Sequence, residues 1–371
     1  MDEITLSNEV TFSEELKEIY HYLHSKYPAI ERVAVALYEP STDILITFAY
    51  TGEYDTPLSM YDFQFSQSES LNKVRQSRLP RIVDDIDLYE PNSRVHTDQI
   101  RKAGFKSSYT YPMFNGNNFL GMIFFNSKQK SAFTDEMVYD IELVCPLLTV
   151  MVANEKRVEN LLLATVHTTL ELSKERDPET QEHMARVAHY ARIIAKEVAP
   201  DYGYDDEFVE HVFMFAPLHD IGKISIPDEI LRKPGKLTDE EFDFMKVHTT
   251  KGSDLAGLLL KNFDLENIKF APMIKNVIRY HHEKVDGSGY PDGLKGDEIP
   301  LESKIVAVAD IFDALTTVRP YKQAWSNAAA FAELEEMANQ GLLDKTCVEA
   351  LVEHKEKVCE IQETLADPKI S

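Results

Sequence analysis

At 371 residues and 43% hydrophobic content, the chain is too long for one ordinary core and reads as two globular domains with no low-complexity tract. A formal net charge of -24 repels long polyanions and argues against DNA or RNA polymers as partners, while a small phosphate ligand stays open wherever metals and a few cations gather. Three cysteines outside any CxxC pattern, no apolar run of membrane-spanning length, and an opening Met1-Asp2-Glu3-Ile4 without leader character predict a cytoplasmic protein with no membrane partner.

Residues 11–26 place Phe12, Leu16, Ile19, Tyr20 and Leu23 at helical spacing. Strand-like runs follow at residues 32–38 and 44–50, joined by the turn Pro40-Ser41-Thr42-Asp43. A second hairpin is predicted from residues 107–113 and 119–125 around Asn115-Gly116-Asn117. With intervening helices these elements predict an α+β domain built on an antiparallel sheet. Their order resembles that of GAF domains, which implies a sensory module over residues 1–150. No residue there marks a ligand. Cys145 sits in the apolar run Val144-Cys145-Pro146-Leu147 and reads as core, while His21, His24 and His96 read as solvated.

From Thr134, a plausible N-cap, the pattern is helical to about Lys174, and Pro146 is expected to kink or split it. Met137, Ile141, Val144, Leu148 and Met151 keep a 3-4 spacing, resumed at Val158, Leu162 and Val166. Two readings stand: a parallel homodimer seam through a connecting helix at residues 151–176, or packing within each domain. Asp177 as N-cap with Pro178 at N1 then opens an all-α domain over residues 177–371. Thr238-Asp239-Glu240-Glu241 is a capping box ahead of His248, and residues 326–365 read as amphipathic helix without identifiable chemistry.

The chemistry concentrates in this second domain. Glu179 and His183 lie i,i+4 on one helix face. His219 and Asp220 are neighbours, which suits a carboxylate bridging two metals better than a single ion. His248, His281, His282 and Asp310 complete a set of five imidazoles and three carboxylates with no thiolate. Such a set suits iron or manganese, less surely zinc, and is too nitrogen-rich for calcium or magnesium. Two ions about 3.5–4 Å apart can bind a phosphodiester and activate water. Lys223 stands one turn beyond Asp220, where an ammonium reaches a phosphate, and Arg319 and Lys322 follow Asp310.

Leu218-His219-Asp220-Ile221-Gly222-Lys223, His281-His282-Glu283, Gly287-Ser288-Gly289-Tyr290-Pro291 and Ala309-Asp310-Ile311-Phe312-Asp313 together resemble the HD-GYP family of HD-domain phosphohydrolases. The resemblance runs from about residue 160 to the C-terminus. It implies that His183, His219, Asp220, His248, His281, His282 and Asp310 are metal ligands. Glu179 matches a carboxylate that helps hold a third ion, so two or three transition-metal ions are expected. It further implies that Arg319 and Lys322 hold the phosphates of a cyclic dinucleotide, that Tyr290 shapes the pocket lip, and that Asp220 and Lys223 serve catalysis. Lys284 and Lys295 read as solvated charge, and His189, His211 and His354 as structural. The implied reaction is hydrolysis of cyclic di-GMP to pGpG or GMP. Hydrolysis of 3',3'-cyclic GMP-AMP and a non-hydrolysing cyclic dinucleotide receptor remain as alternatives.

Overall fold

Thr11 opens the first helix, α1 (Phe12–Lys26), with a capping box: its hydroxyl accepts from the Glu14 N–H while the Glu14 carboxylate accepts from the Thr11 N–H. The computed structural model describes residues 11–52, 62–88, 95–172, 181–263, 265–266, 268–317 and 324–366. The chain divides into two compact units, Met1–Val158 with Asp205–Glu207, and Glu159–Tyr204 with Phe208–Ser371.

The first unit is an antiparallel sheet flanked by helices. Its strands are β1 (Arg32–Glu39), β2 (Ile44–Gly52), β3 (Asp62–Gln64), β4 (Arg81–Val83), β5 (Ser107–Asn115) and β6 (Asn118–Ser127), in the order β3-β2-β1-β6-β5-β4. Central β1 is buried on both faces, which is why Val33-Ala34-Val35-Ala36-Leu37 is apolar without alternation. Helix α2 (Glu69–Ser77) lays Leu71 and Val74 on a cluster with Ala34, Leu45, Phe65 and Met122. α1 brings Phe12 to Phe48 of β2, and α3 (Val95–Lys102) precedes β5. The expected α+β architecture and both hairpins are present. His21 is exposed as expected, but His24 is not simply solvated. Its Nδ1 lies 2.7 Å from the Ile30 carbonyl and its ring stacks on Tyr20. The His96 side chain lies outside the described residues.

Helix α4 (Asp135–Leu172) starts where Thr134 accepts from the Met137 N–H at 3.4 Å, and it runs through Pro146 without splitting. An interior proline costs about 3 kcal/mol. Burial of a large apolar side chain contributes roughly 1.5–3 kcal/mol, so Met137, Ile141, Leu148 and Val152 together outweigh it. Met137, Ile141 and Leu148 are buried, which favours packing within the chain for that part of the apolar spacing, while Val144 and Met151 are half-buried. Among the described residues the exposed large apolar side chains of α4 are Tyr139, Leu143, Leu147, Val150 and Leu161, and the side chains of Val158, Leu162 and Val166 lie outside the described residues. Cys145 is fully buried, as expected for core.

Among the described residues the second unit is helical: α5 (Gln181–Val198), α6 (Asp206–Phe215), α7 (Asp228–Leu231), α8 (Asp239–Asn262), α9 (Ala271–Tyr280), α10 (Leu301–Thr316), α11 (Asn327–Asn339), α12 (Lys345–Glu353) and α13 (Lys355–Thr364), with short 3-10 turns between. α10 is its central rod. Ile305, Val306, Val308, Ala309 and Phe312 are buried, and the Phe312 ring meets Tyr190 of α5 at 5.2 Å and Phe331 of α11 at 4.8 Å. The C-terminal stretch is three helices rather than one. Gly341 takes φ +75 after α11, a conformation that favours glycine, and Asp344 caps α12 by accepting from the Cys347 N–H. The start expected at Asp177-Pro178 lies outside the described residues. No helix among the described residues is long and apolar enough to cross a membrane.

Candidate metal centre

Each candidate ligand enters the centre from a different part of the helical unit. His183 comes from the first turn of α5, and Asp310 from the third turn of α10. His219-Asp220 sit between two 3-10 turns, Ala216–Leu218 and Ile221–Ser225. The capping box at Thr238 fixes the start of α8, which carries His248. His281 terminates α9, and His282 follows it.

Four of the imidazoles are aimed by bonds on their far side. Nδ1 of His219 donates to the Ala216 carbonyl at 2.7 Å, and Nδ1 of His248 to the Met245 carbonyl at 2.7 Å. His281 Nδ1 lies 3.1 Å from both the Val277 and Ile278 carbonyls, and His183 Nδ1 is 2.7 Å from Asp313 Oδ2. A carbonyl or carboxylate oxygen can only accept, so Nδ1 carries the proton and Nε2 presents its lone pair inward. The inward Nε2 atoms of His248 and His281, with Oδ1 of Asp220, are buried and make no hydrogen bond among the described residues. Leaving such groups without a ligand is costly, and lone pairs converging on one point suit a cation.

The donors fall into two groups, each with atoms within 4.8 Å of one another: Asp220, His248, His281 and His282, and His183, His219 and Asp310. Asp220 joins them. Its Oδ1 lies 3.2 Å from His248 Nε2 and 3.7 Å from His281 Nε2, while Oδ2 lies 3.1 Å from His219 Nε2. Asp310 Oδ1 is 3.8 Å from the Nε2 atoms of both His183 and His219. Lys223 Nζ stands 2.8 Å from Asp220 Oδ2.

The electrostatics favour the ligating forms. Burial disfavours the ionised Asp220, but Lys223, His219 and His248 together outweigh it and hold the carboxyl well below its usual range. Burial, with the neighbouring imidazoles, lowers His281 and lowers His282 further, so both rings stay neutral. Burial, reinforced by the charges of Asp220 and Asp310, raises Tyr290, which keeps its phenol protonated.

The seven described members of the predicted ligand set therefore converge, with Lys223 against them and the Tyr290 ring 4.8 Å from His282. Glu179, Arg319 and Lys322 lie outside the described residues. His189 packs on Phe213, His211 on Phe215 and Phe270, and His354 lies near Glu197, all apart from the centre.

Three supporting residues have no role in the sequence reading. Asp313, buried on α10, binds His183 and takes Arg186 Nε at 2.6 Å and Nη2 at 3.0 Å. A sequence clue existed: Arg186 follows His183 by three residues and Asp313 follows Asp310 by three, so each pair shares a helix face. Glu283 is buried and accepts the backbone N–H groups of Asp292, Gly293 and Leu294 at 2.7, 3.0 and 3.1 Å, clasping the loop that carries Tyr290. Gly222 lies so close to α8 that a methyl there would strike the His248 carbonyl. Neither clasp nor close approach has a spacing pattern to betray it.

The fold and the donor set define a helical domain built around histidine and aspartate ligands. Residues 168–347, just under half of the chain, match a family model described as HD domain, and both donor groups lie within that span, a similarity that fits divalent-metal binding. The chain is 42% identical over 213 residues to the cyclic di-GMP phosphodiesterase response regulator RpfG of Xanthomonas campestris, covering 56% of this chain and 53% of that protein. It is 34% identical over 231 residues to 3'3'-cGAMP-specific phosphodiesterase 2 of Vibrio cholerae, covering 62% of this chain and 41% of that protein. The chain thus spans about half the length of the curated relatives it matches. A GAF domain/HD domain protein from Geobacter sulfurreducens is similar in structure at 14% identity and TM-score 0.34, over 40% of this chain and 97% of that one.

Proposed function

We propose that the chain is a metal-dependent phosphodiesterase that hydrolyses cyclic di-GMP to pGpG or GMP. The observation that carries this reading is Asp220, whose two oxygens face two separate groups of imidazoles and so fit a bridge between two ions. Two bound iron or manganese ions would activate a water and neutralise charge building on the phosphoryl oxygens. The neutral imidazoles hold the ions, Lys223 keeps Asp220 ionised and adds a cation beside the phosphate, and the Tyr290 phenol offers a proton donor at the lip. Arg319 and Lys322 are assigned to the substrate phosphates and Glu179 to a third ion. Residues 1–150 are read as a GAF-like sensory domain, residues 151–176 as a connector that supports a homodimer, and residues 177–371 as the hydrolase, in a cytoplasmic protein. A second substrate, 3',3'-cyclic GMP-AMP, is favoured by the Vibrio cholerae relative named for it.

The test is metal analysis and product analysis on purified protein. At least two ions per chain and linear pGpG or GMP are expected, with cyclic di-GMP turned over faster than the mixed dinucleotide. Asp220→Ala should abolish turnover and lower the bound metal, while His354→Ala, beside Glu197 and away from the centre, should change neither. Tight binding of unaltered dinucleotide by fully loaded protein would make it a receptor. Equal losses in the two variants would remove Asp220 from the bridge.

A further inference from the structure

The rim of the metal centre carries an aromatic ledge outside the ligand set. Phe242 stands in the first turn of α8 with 46% of its surface exposed, six residues ahead of His248. Its ring meets Tyr290 at 6.3 Å with the planes at 82°. Tyr290 in turn lies 4.8 Å from the His282 ring and 6.4 Å from the His248 ring. Lys246, one turn along α8, holds Nζ 4.9 Å from the Phe242 ring centre and 5.9 Å from that of Tyr290, with Asp243 2.7 Å away to balance its charge. A single exposed phenylalanine needs no explanation. This one is continuous, through one tyrosine, with two of the candidate metal ligands.

We propose that Phe242, with Tyr290 and Lys246 beside it, is the surface on which one purine base of a cyclic dinucleotide stacks while its phosphodiester reaches Asp220. The assignment rests on the phosphodiesterase reading above. The ledge stands one ring beyond His248, and in a nucleotide the base stands one sugar ring beyond its phosphate. Aromatic faces bind bases by stacking whatever the base, and the Lys246 ammonium can meet the acceptor atoms N7 and O6 on a guanine edge. The Phe242 ring carries neither a charge nor a proton to give, so its contribution falls on binding and not on bond cleavage.

Steady-state kinetics on cyclic di-GMP with metal-loaded full-length protein tests this. Phe242→Leu keeps an apolar side chain and removes the π face, so KM should rise about tenfold with kcat within about twofold and metal content unchanged. Phe242→Trp restores a flat face and should return KM to the wild-type range. Because the side chain is half exposed, both variants should fold, and thermal melting of each checks it. A Phe242→Leu protein with wild-type KM, or one that loses metal and kcat at constant KM, overturns the ledge while leaving the hydrolase reading intact. Wild-type protein that neither binds nor hydrolyses cyclic di-GMP overturns both.

Discussion

Asp313 shows how much of the centre depends on a residue that faces no substrate. Its carboxylate is fully buried, and burial alone would favour the neutral acid. The bonds from His183 and Arg186 outweigh that and pull its pKa below the ordinary value. One aspartate thus neutralises a buried guanidinium, fixes the tautomer of His183 and aims Nε2 at Asp310. Asp313→Asn keeps the shape and removes the charge that faces the buried Arg186 guanidinium. Breaking a buried pair from one side costs about 3–5 kcal/mol. Metal affinity should fall roughly 10–100-fold, the usual effect of losing a partner that orients a ligand. Denaturant unfolding and metal titration of the same variant check both, with Thr317→Val as the milder comparison because its hydroxyl, which accepts from Arg186 and donates to Asp313, carries no charge. A variant with normal metal affinity would make Asp313 a stability residue and nothing more.

The elements are held in register by close approaches as much as by apolar burial. The 3-10 turn Ile221–Ser225 packs on α8 through Gly222, and Gly252 on the same helix approaches Ile278 of α9. These contacts set the distance between Asp220 and His248 and bring α9 near enough for His281 to join them. Gly222→Ala should therefore push the turn off α8 at an overpacking cost of about 1–3 kcal/mol. Metal analysis should find occupancy reduced in the Asp220, His248, His281 and His282 group, and wild-type occupancy in that variant would show that the helix gives way without disturbing the ligands. These close approaches were the part least legible in the sequence. The helix carrying His248 and the strand hairpins follow from capping chemistry and period, which act locally, while the seven converging donors are expected as one set through the resemblance of the motifs around them to HD-GYP domains. Gly222 and Glu283 act through backbone that is distant or irregular, so residue type alone says nothing of them. Pro146 shows the opposite failure. A strong local rule predicts a kink or break, yet α4 runs through the proline as one helix with Met137, Ile141, Leu148 and Val152 buried along it. The amphipathic pattern over residues 326–365 reads as one helix, while the Asp344 cap and the positive φ of Gly341 divide it in the fold.

At the scale of the whole molecule, the second unit holds His281 and His282 neutral and Asp220 ionised in one cluster that a proton and a metal ion would compete for. His281 and His282 have folded pKa values below their ordinary 6.5, through burial first and neighbouring imidazoles second. Below 6.5 the unfolded chain takes up protons that the folded chain refuses, so the folded state loses stability as pH falls. Asp220 and Asp313 act in the same direction at lower pH. Their folded values lie below the ordinary 3.8, so the stability they contribute is present above 3.8 and is lost as pH falls through the folded values. Each group in which the unfolded state holds one more proton contributes a slope of about 1.4 kcal/mol per pH unit. For metal-free protein, the two histidines together should lower the melting temperature of the second unit by roughly 5–10 °C between pH 7.5 and pH 5.5. Bound metal needs the same neutral rings, so it should raise stability at pH 7.5 and hold the melting temperature up until protons displace it. Calorimetry at the two pH values, with and without chelator, measures this directly. A metal-free melting temperature that is flat across the interval would mean that folding does not disfavour protonation of His281 and His282.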